Sequence, residues 1–411
     1  MLFNKGSVSR TTYLLIIVAS LGYFVDIYDL VLFNVIKKAS LETLQLSGEK
    51  NEITLFNWQM TGMMLGGIFW GILGDKKGRL SVLFGSILLY SLANIANAFV
   101  NQGNINAYSL IRFFAGLGLA GELGAGITLV VEMMSKENRG YGTMIIVAFG
   151  ALGAVFASFV GSSFTWQMAY IVGGILGILL LVLRIGTMES TLFKQLENNE
   201  TAKGNFTYLF SDKKIFLKYL KCILIGLPIW YVVGILISLS VGITKQLGIE
   251  GVVTASAIMY SYIGLSAGDL LSGLLSQLWK SRKKVVITYL LCLSCLVILF
   301  LFPVSKSLTW FYIMCFLLGA GTGFWALFVT IASEQFGTNI RSTVTNTAPN
   351  FVRGSLVLIT LLYKFLEPFF GDLNGKIYSA LIVGGVCITI SFISIVTIEE
   401  TFGKDLDYLE L

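Results

Sequence analysis

The sequence predicts an all-α membrane protein, with twelve transmembrane helices in two six-helix pseudo-repeats. Three observations predict it: scarcity of charge, a regular succession of apolar stretches long enough to cross a bilayer, and self-similarity of the two halves at one offset. Of 411 residues, 55% are hydrophobic and 13% charged, and the mean hydropathy is +0.80. A water-soluble domain carries about a quarter charged residues. These charges are too few to cover a surface facing water, so lipid is the solvent for most of the chain. Forty-four glycines beside four prolines suit helices packed closely, because small residues let backbones approach.

The composition also excludes chemistry. There is no histidine, which removes His-ligated metal and the Ser-His and Cys-His catalytic pairs, and leaves carboxylates to carry any proton relay. All five cysteines (Cys222, Cys292, Cys295, Cys315, Cys387) lie in apolar stretches. Cys292 and Cys295 have C-x-x-C spacing, but within VITYLLCLSCLVILFLF they read as lipid-facing helix and not as a metal or redox site. No nucleophile–base set for an embedded enzyme is found, and no cofactor or metal is expected. The net charge of +6 takes its meaning from loop placement and does not signal nucleic-acid binding.

About 20 residues cross the hydrocarbon core as a helix. Twelve such stretches fall near 13–36, 52–73, 80–100, 105–131, 142–163, 167–187, 219–243, 252–277, 285–303, 309–332, 342–366 and 375–398. The first follows Lys5 and Arg10 but contains Asp26 and Asp29, so it reads as a retained helix and not as a cleaved signal. With both termini cytoplasmic, that side collects Lys76, Lys77, Arg79, Lys136, Arg139, Lys280, Arg282, Lys283, Lys284, Arg341 and the basic residues of 184–221. The loops at 101–106 and 161–166 carry no charge. This is the positive-inside pattern, and it predicts a multi-pass protein of the cell inner membrane. The polar stretch 188–218 divides an N-terminal bundle, 1–187, from a C-terminal bundle, 219–411.

A shift of 202 residues brings Gly71-Ile-Leu onto Gly273-Leu-Leu, Glu132 onto Glu334, Arg139 onto Arg341 and Thr143 onto Thr345. At a slightly larger offset Glu189-Ser190 meets Glu400-Thr401. Parallel six-span repeats around a midplane site are one transporter architecture. GILGDKKGR (Gly71 to Arg79) resembles the signature between the second and third helices of the major facilitator superfamily. RFFAGLGLAGE (Arg112 to Glu122) resembles its fourth-helix motif, with an ending similar to the metabolite:proton symporters. The element Glu132, Arg139, Gly140 and the tail ETFGKDLDYLE are similar to sugar porters. GALGAVFASFVG (Gly150 to Gly161) is a looser match to the fifth helix and lacks the proline of drug exporters. The resemblance covers essentially the whole chain. It implies a secondary active transporter working by alternating access, acting on a small-molecule substrate and protons from within the lipid bilayer. The function expected is proton-coupled symport of a small polar organic solute, an organic acid or sugar-like; the alternative is a proton-antiport exporter of a drug or siderophore. A monomer is expected.

Ionisable groups inside spans cost several kcal/mol and mark function. At about 1.5 Å per residue, Asp29 and Arg112 lie at equal depth and are expected to pair, with Asp26 one turn away. The resemblance gives this pair the proton-coupling role. Glu122, near mid-depth on a glycine-rich helix, is a further coupling candidate. Asp269 and Arg353 also match in depth and are expected to pair between the eighth and eleventh helices, as a structural ion pair or as a gate that breaks during transport. Asp75 and Arg79 are expected to form a cytoplasmic gate, with Asp75 at the positive N-terminus of the eleventh helix near Arg341. Glu132–Arg139 and Glu334–Arg341 would add contacts there. The first, fourth, seventh and tenth helices are expected to line the cavity, with Trp230, Tyr231, Phe324 and Trp325 as stacking groups. Asn34, Asn346 and Asn350 add neutral hydrogen-bonding capacity.

Overall fold

In a computed structural model of the chain, residues 10–185 and 203–410 are described. Residues 188–202 of the expected linker, Glu189 and Ser190 among them, lie outside the described residues. Lipid offers backbone N–H and C=O groups no partner, so each apolar run must satisfy its own as a helix. Six spans form the first bundle: α1 (Arg10–Thr43), α2 (Glu49–Lys77), α3 (Arg79–Asn97), the pair α4 (Ile105–Leu119) and α5 (Glu122–Met133), α6 (Arg139–Ser163) and α7 (Trp166–Leu183). The seventh span joins α8 (Lys213–Leu224), α9 (Leu227–Tyr231), a π turn (Val232–Ile237) and α10 (Ser240–Leu247). There follow α11 (Thr254–Leu278), α12 (Arg282–Leu301), the pair α13 (Leu308–Gly321) and α14 (Trp325–Glu334), α15 (Arg341–Leu366) and α16 (Gly371–Thr397). Among the described residues, ten helical runs qualify as spans by length and apolarity alone. One of them, Arg341–Thr397, is two helices joined at Glu367–Phe370, and α2, which carries Asn57, Gln59 and Thr61, completes the twelve. The first span continues past its expected end at 36 to Thr43, where Lys37 on it pairs with Glu52 of α2 at 3.1 Å.

The two bundles repeat in their packing. A Cβ on Gly62 of α2 would strike the carbonyl of Phe113, and one on Gly116 of α4 that of Gln59. In the second bundle Gly264 of α11 stands against Phe316 O, and Gly319 of α13 against Ser261 O. Only glycine permits backbones this close. Between the bundles α2 packs on α15 and α6 on α11; Gly71 meets Thr343 there, and Gly273 meets Met144.

Spans four, seven and ten are broken, as in carriers whose sites lie at helix interruptions. The breaks at Ala120–Gly121 and Thr322–Phe324 occupy matching places in the repeat. Each puts the N-terminus of a half-helix at depth, where the first-turn N–H groups need partners from outside the helix.

Candidate functional site

A cavity of about 260 Å³ lies between the bundles. It is walled by α1, α2, the π turn of the seventh span, α11 and α15, and opens at the end away from the basic turns, where Lys37, Glu52 and Lys364 are at its rim. The expected fourth and tenth spans are not its walls. Asn34 and Trp230 line it, with Asn57 and Tyr262 as polar groups absent from the sequence reading.

The other expected cavity residues face elsewhere. The Tyr231 hydroxyl donates to Ala380 O at 2.7 Å, because successive helical residues point about 100° apart and Trp230 takes the cavity side. The Phe324 ring packs on Tyr289 of α12, centroids 6.2 Å apart. Trp325 lies under the floor: it packs on Trp230, centroids 6.5 Å apart, and its indole N–H donates to Tyr23 at 2.9 Å. The amide of Asn350 donates to Ala120 O at 2.9 Å and so bridges the bundles, whereas that of Asn346 donates to Ser342 O of its own helix at 2.8 Å, its side chain packed on Gly124 of α5.

The buried charges choose partners that depth did not reveal. Arg353 does not pair with Asp269. Its Nη2 stands 3.5 Å from Asp26 Oδ2 across the two bundles, whereas Asp269 Oδ1 accepts the N–H of Ala326 at 2.9 Å and so caps α14 at its break. Asp29 and Arg112 form no ion pair. Asp29 lies against Gly173 of α7. Arg112 donates to Gln59 of α2, drawn near by the Gly116 crossing, and sits 4.6 Å from the Phe33 ring centroid and 5.8 Å from that of Tyr170. Glu122, in the first turn of α5, is held on both oxygens by Arg184, Nη1 to Oε2 at 3.0 Å. Arg184 reads in sequence as a loop charge. Its signal was its place at the end of LGILLLVLR, where a lone cation needs an anion inside the bundle.

At the opposite end the basic turns are sealed. Asp75 Oδ1 accepts the N–H of Ser342 at 3.0 Å, and Oδ2 accepts the N–H and hydroxyl of Thr343 at 2.9 and 2.7 Å. A carboxylate on a helix N-terminus is favoured by the dipole and the free N–H groups. Arg79 lies 3.7 Å from Asp75 and 2.7 Å from Glu132. The contacts expected between Glu132 and Arg139, and between Glu334 and Arg341, are exchanged between bundles. Glu132 Oε1 binds Arg341 of the other half at 2.9 Å, and Glu334 lies 3.7 Å from Arg139. Within each half the second cation comes from a basic turn, Arg79 for Glu132 and Arg282 for Glu334 at 3.3 Å. The pseudo-two-fold relation carries each span-five or span-eleven arginine onto the opposite glutamate.

The C-terminal tail closes this seal. Arg139 donates to Lys404 O and Arg341 to Leu406 O, both at 2.8 Å, and Thr338 N to Tyr408 O at 2.9 Å. Glu400 caps α12, accepting the N–H groups of Arg282 at 3.0 Å and Lys283 at 3.2 Å. Partial burial opposes its ionisation, but hydrogen bonds from Ser281 and from backbone N–H groups outweigh this and hold its carboxyl below the usual range.

With cavity and seal described, comparison places the protein. The sequence model of the Major Facilitator Superfamily matches residues 19–358. The chain belongs to this superfamily. A Bacillus subtilis (strain 168) protein named for niacin/nicotinamide transport, NiaP, is 25% identical over 395 residues, covering 91% of this chain and 94% of its own length. The niacin transporter NiaP of Acinetobacter baylyi is 32% identical over 181 residues, 43% of this chain and 40% of that protein. The sialic acid transporter NanX of Escherichia coli K12 is 22% identical over 314 residues, 75% of this chain and 76% of its own. The fold matches that of the proton:xylose symporter XylE, with a TM-score of 0.76 at 15% identity over 96% of this chain and 98% of that one. As a facilitator-superfamily member the protein is a multi-pass membrane transporter and not an enzyme.

Proposed function

We propose that this transporter is a proton-coupled symporter of the inner membrane, importing a small polar organic solute by alternating access, with an organic acid favoured over a sugar. The basic turns and both termini face the cytoplasm in this reading, by the asymmetry of Lys and Arg. The observation that carries it is the pairing of a sealed basic end with a cavity open at the other, beside buried carboxylates Asp26 and Asp29 on the first span. A cavity facing outward next to groups that can take a proton is the loading state of an importer. The relatives named for niacin and sialic acid favour an acid.

Proteoliposomes made acidic outside test it. Labelled nicotinate, benzoate, sialic acid and xylose are offered, and one of them should accumulate against its gradient. The double variant Asp26→Asn/Asp29→Asn should lose accumulation and retain downhill exchange. Accumulation indifferent to the proton gradient, or gradient-driven efflux, would overturn the proposal.

A further inference from the structure

Arg79, Arg184, Arg282 and Arg341 direct their donors to carboxylates and carbonyls. Arg353 differs. It is 1% exposed, yet it makes one hydrogen bond, Nη1 to Asn350 Oδ1 at 3.3 Å. Its Nε and Nη2 donate none, and neither oxygen of Asp26, its counter-ion 3.5 Å away, accepts one. A guanidinium has five N–H donors in a fixed fork, and a buried donor left unmade asks for an explanation. The guanidinium lies directly behind the cavity floor, 6.0 Å from the Trp230 ring centroid and 5.8 Å from that of Trp325. Trp230 and Tyr262 line that cavity beside Leu30, Phe33, Phe56 and Val233, with Asn34 and Asn57 as polar groups among them.

Resting on the symport reading above, we propose that Arg353 is the receptor for the carboxylate of a small aromatic acid, with Trp230 as its stacking face, and that Asp26 is the counter-ion the acid displaces by taking up a proton. The forked donors match a carboxylate bidentately, and an aromatic ring suits the indole and the apolar wall. Two anions on one guanidinium in a water-poor site repel. The conflict ends when a proton from the outer medium, reaching Asp26 through the cavity, forms a carboxyl O–H bond and frees Arg353 for the ligand. The loaded site has gained one anion and one proton, so its charge is unchanged. On release at the basic end the proton leaves Asp26, which pairs again with Arg353 and rejoins the bundles.

Other groups near Asp26 fit this role. Asp29 lies one turn along the same helix with Arg112 near it, Tyr23 is on the same face with Asp269 of α11 near it, and Tyr262 approaches from α11. Tyr90 lies on α3, and Glu122 on α5 is held by Arg184. Arg353 is the cation that acts directly on Asp26.

The test uses the purified full-length protein with two isosteric pairs, nicotinate against nicotinamide and benzoate against benzamide, read by tryptophan fluorescence and by proton uptake in weak buffer. An acid should bind at least about tenfold more tightly than its amide, with one proton taken up per molecule bound. Asp26→Asn should bind the acid with no proton uptake. Arg353→Gln alone would strand Asp26 and could unfold the bundle, so Asp26→Asn/Arg353→Gln keeps the charge balance; it should melt near the parent and lose at least about tenfold in affinity. Failure of both acids to bind, amides binding equally well, retained affinity in the double variant, or no proton uptake would each overturn the proposal. In liposomes, uptake should follow the pH gradient and ignore the membrane potential. Potential-driven uptake of a neutral solute would leave proton symport standing and remove Arg353 as the anion receptor.

Discussion

At the scale of single residues, Glu132 joins buried charges from both halves. Its carboxylate holds Arg79 of its own half at 2.7 Å and Arg341 of the other at 2.9 Å, so it neutralises two arginines that are compatible with burial only in the sealed state. Removing one partner of a buried ion pair costs about 3–5 kcal/mol, because the other charge is left uncompensated. When the basic end opens, water takes over that role, so the cost falls on the sealed state alone. Glu132→Gln should therefore shift the population strongly toward opening at the basic end. Asp75→Asn should shift it less, since a charge at a helix N-terminus contributes up to about 2 kcal/mol and Asn still accepts a hydrogen bond. Spin labels at Lys136 and Lys280, both exposed and in opposite halves, should report a larger population of long distances in both variants, and the larger gain in Glu132→Gln. An unchanged distance distribution in Glu132→Gln would refute the latch.

Among elements, reciprocal glycine crossings set how closely spans two and four, and eight and ten, approach. Gly62 and Gly264 stand 202 positions apart, and each faces a backbone carbonyl of the partner span. Backbone cannot retreat as a flexible side chain can, so Gly264→Val must separate α11 from α13. Overpacking of this kind costs about 1–3 kcal/mol or more, and the variant should melt several degrees below the parent. Gly385→Val on α16, where an added Cβ meets nothing within 4 Å, should melt with the parent. Equal melting of the two variants would mean that the close crossing is not needed. These crossings also decide partners, since the Gly116 contact brings Gln59 to Arg112.

For the whole molecule, the sealed end is a three-part assembly: two bundles and the tail beneath them. Backbone carbonyls of Lys404, Leu406 and Tyr408 satisfy donors from both halves, Arg139, Arg341 and Thr338. Asn339 clasps Glu410 by two hydrogen bonds of 3.0 Å. Truncation before Lys404 removes these acceptors and leaves the bundles intact, so it should favour opening at the basic end. A cysteine at Thr128, which is buried against Thr345 of the other half, should then react with a soluble maleimide on the order of tenfold faster, a shift of about 1.4 kcal/mol. An unchanged rate would make the tail a passive cover.

The sequence by itself determined the medium, the helical class, the repeat and the burial of the charges that lie inside apolar runs. Hydropathy and spacing along the chain carry that information, and a glutamate or arginine inside an apolar run announces itself. Counting residues also gives depth, and the attraction of a carboxylate to a helix N-terminus set Asp75 beside the start of the eleventh helix, at Ser342 and Thr343. Depth is only the axial coordinate. Which side of a helix a residue faces depends on rotation and crossing, and those follow from glycine contacts and from the breaks in spans four, seven and ten. Thus Asp269 and Arg353 share a depth but not a direction, Tyr231 turns from the cavity that Trp230 lines, and Arg184 reaches inward from a loop to Glu122. The exchange of Glu132 and Glu334 partners between halves needed the pseudo-two-fold axis itself, which exists only once both bundles are packed together.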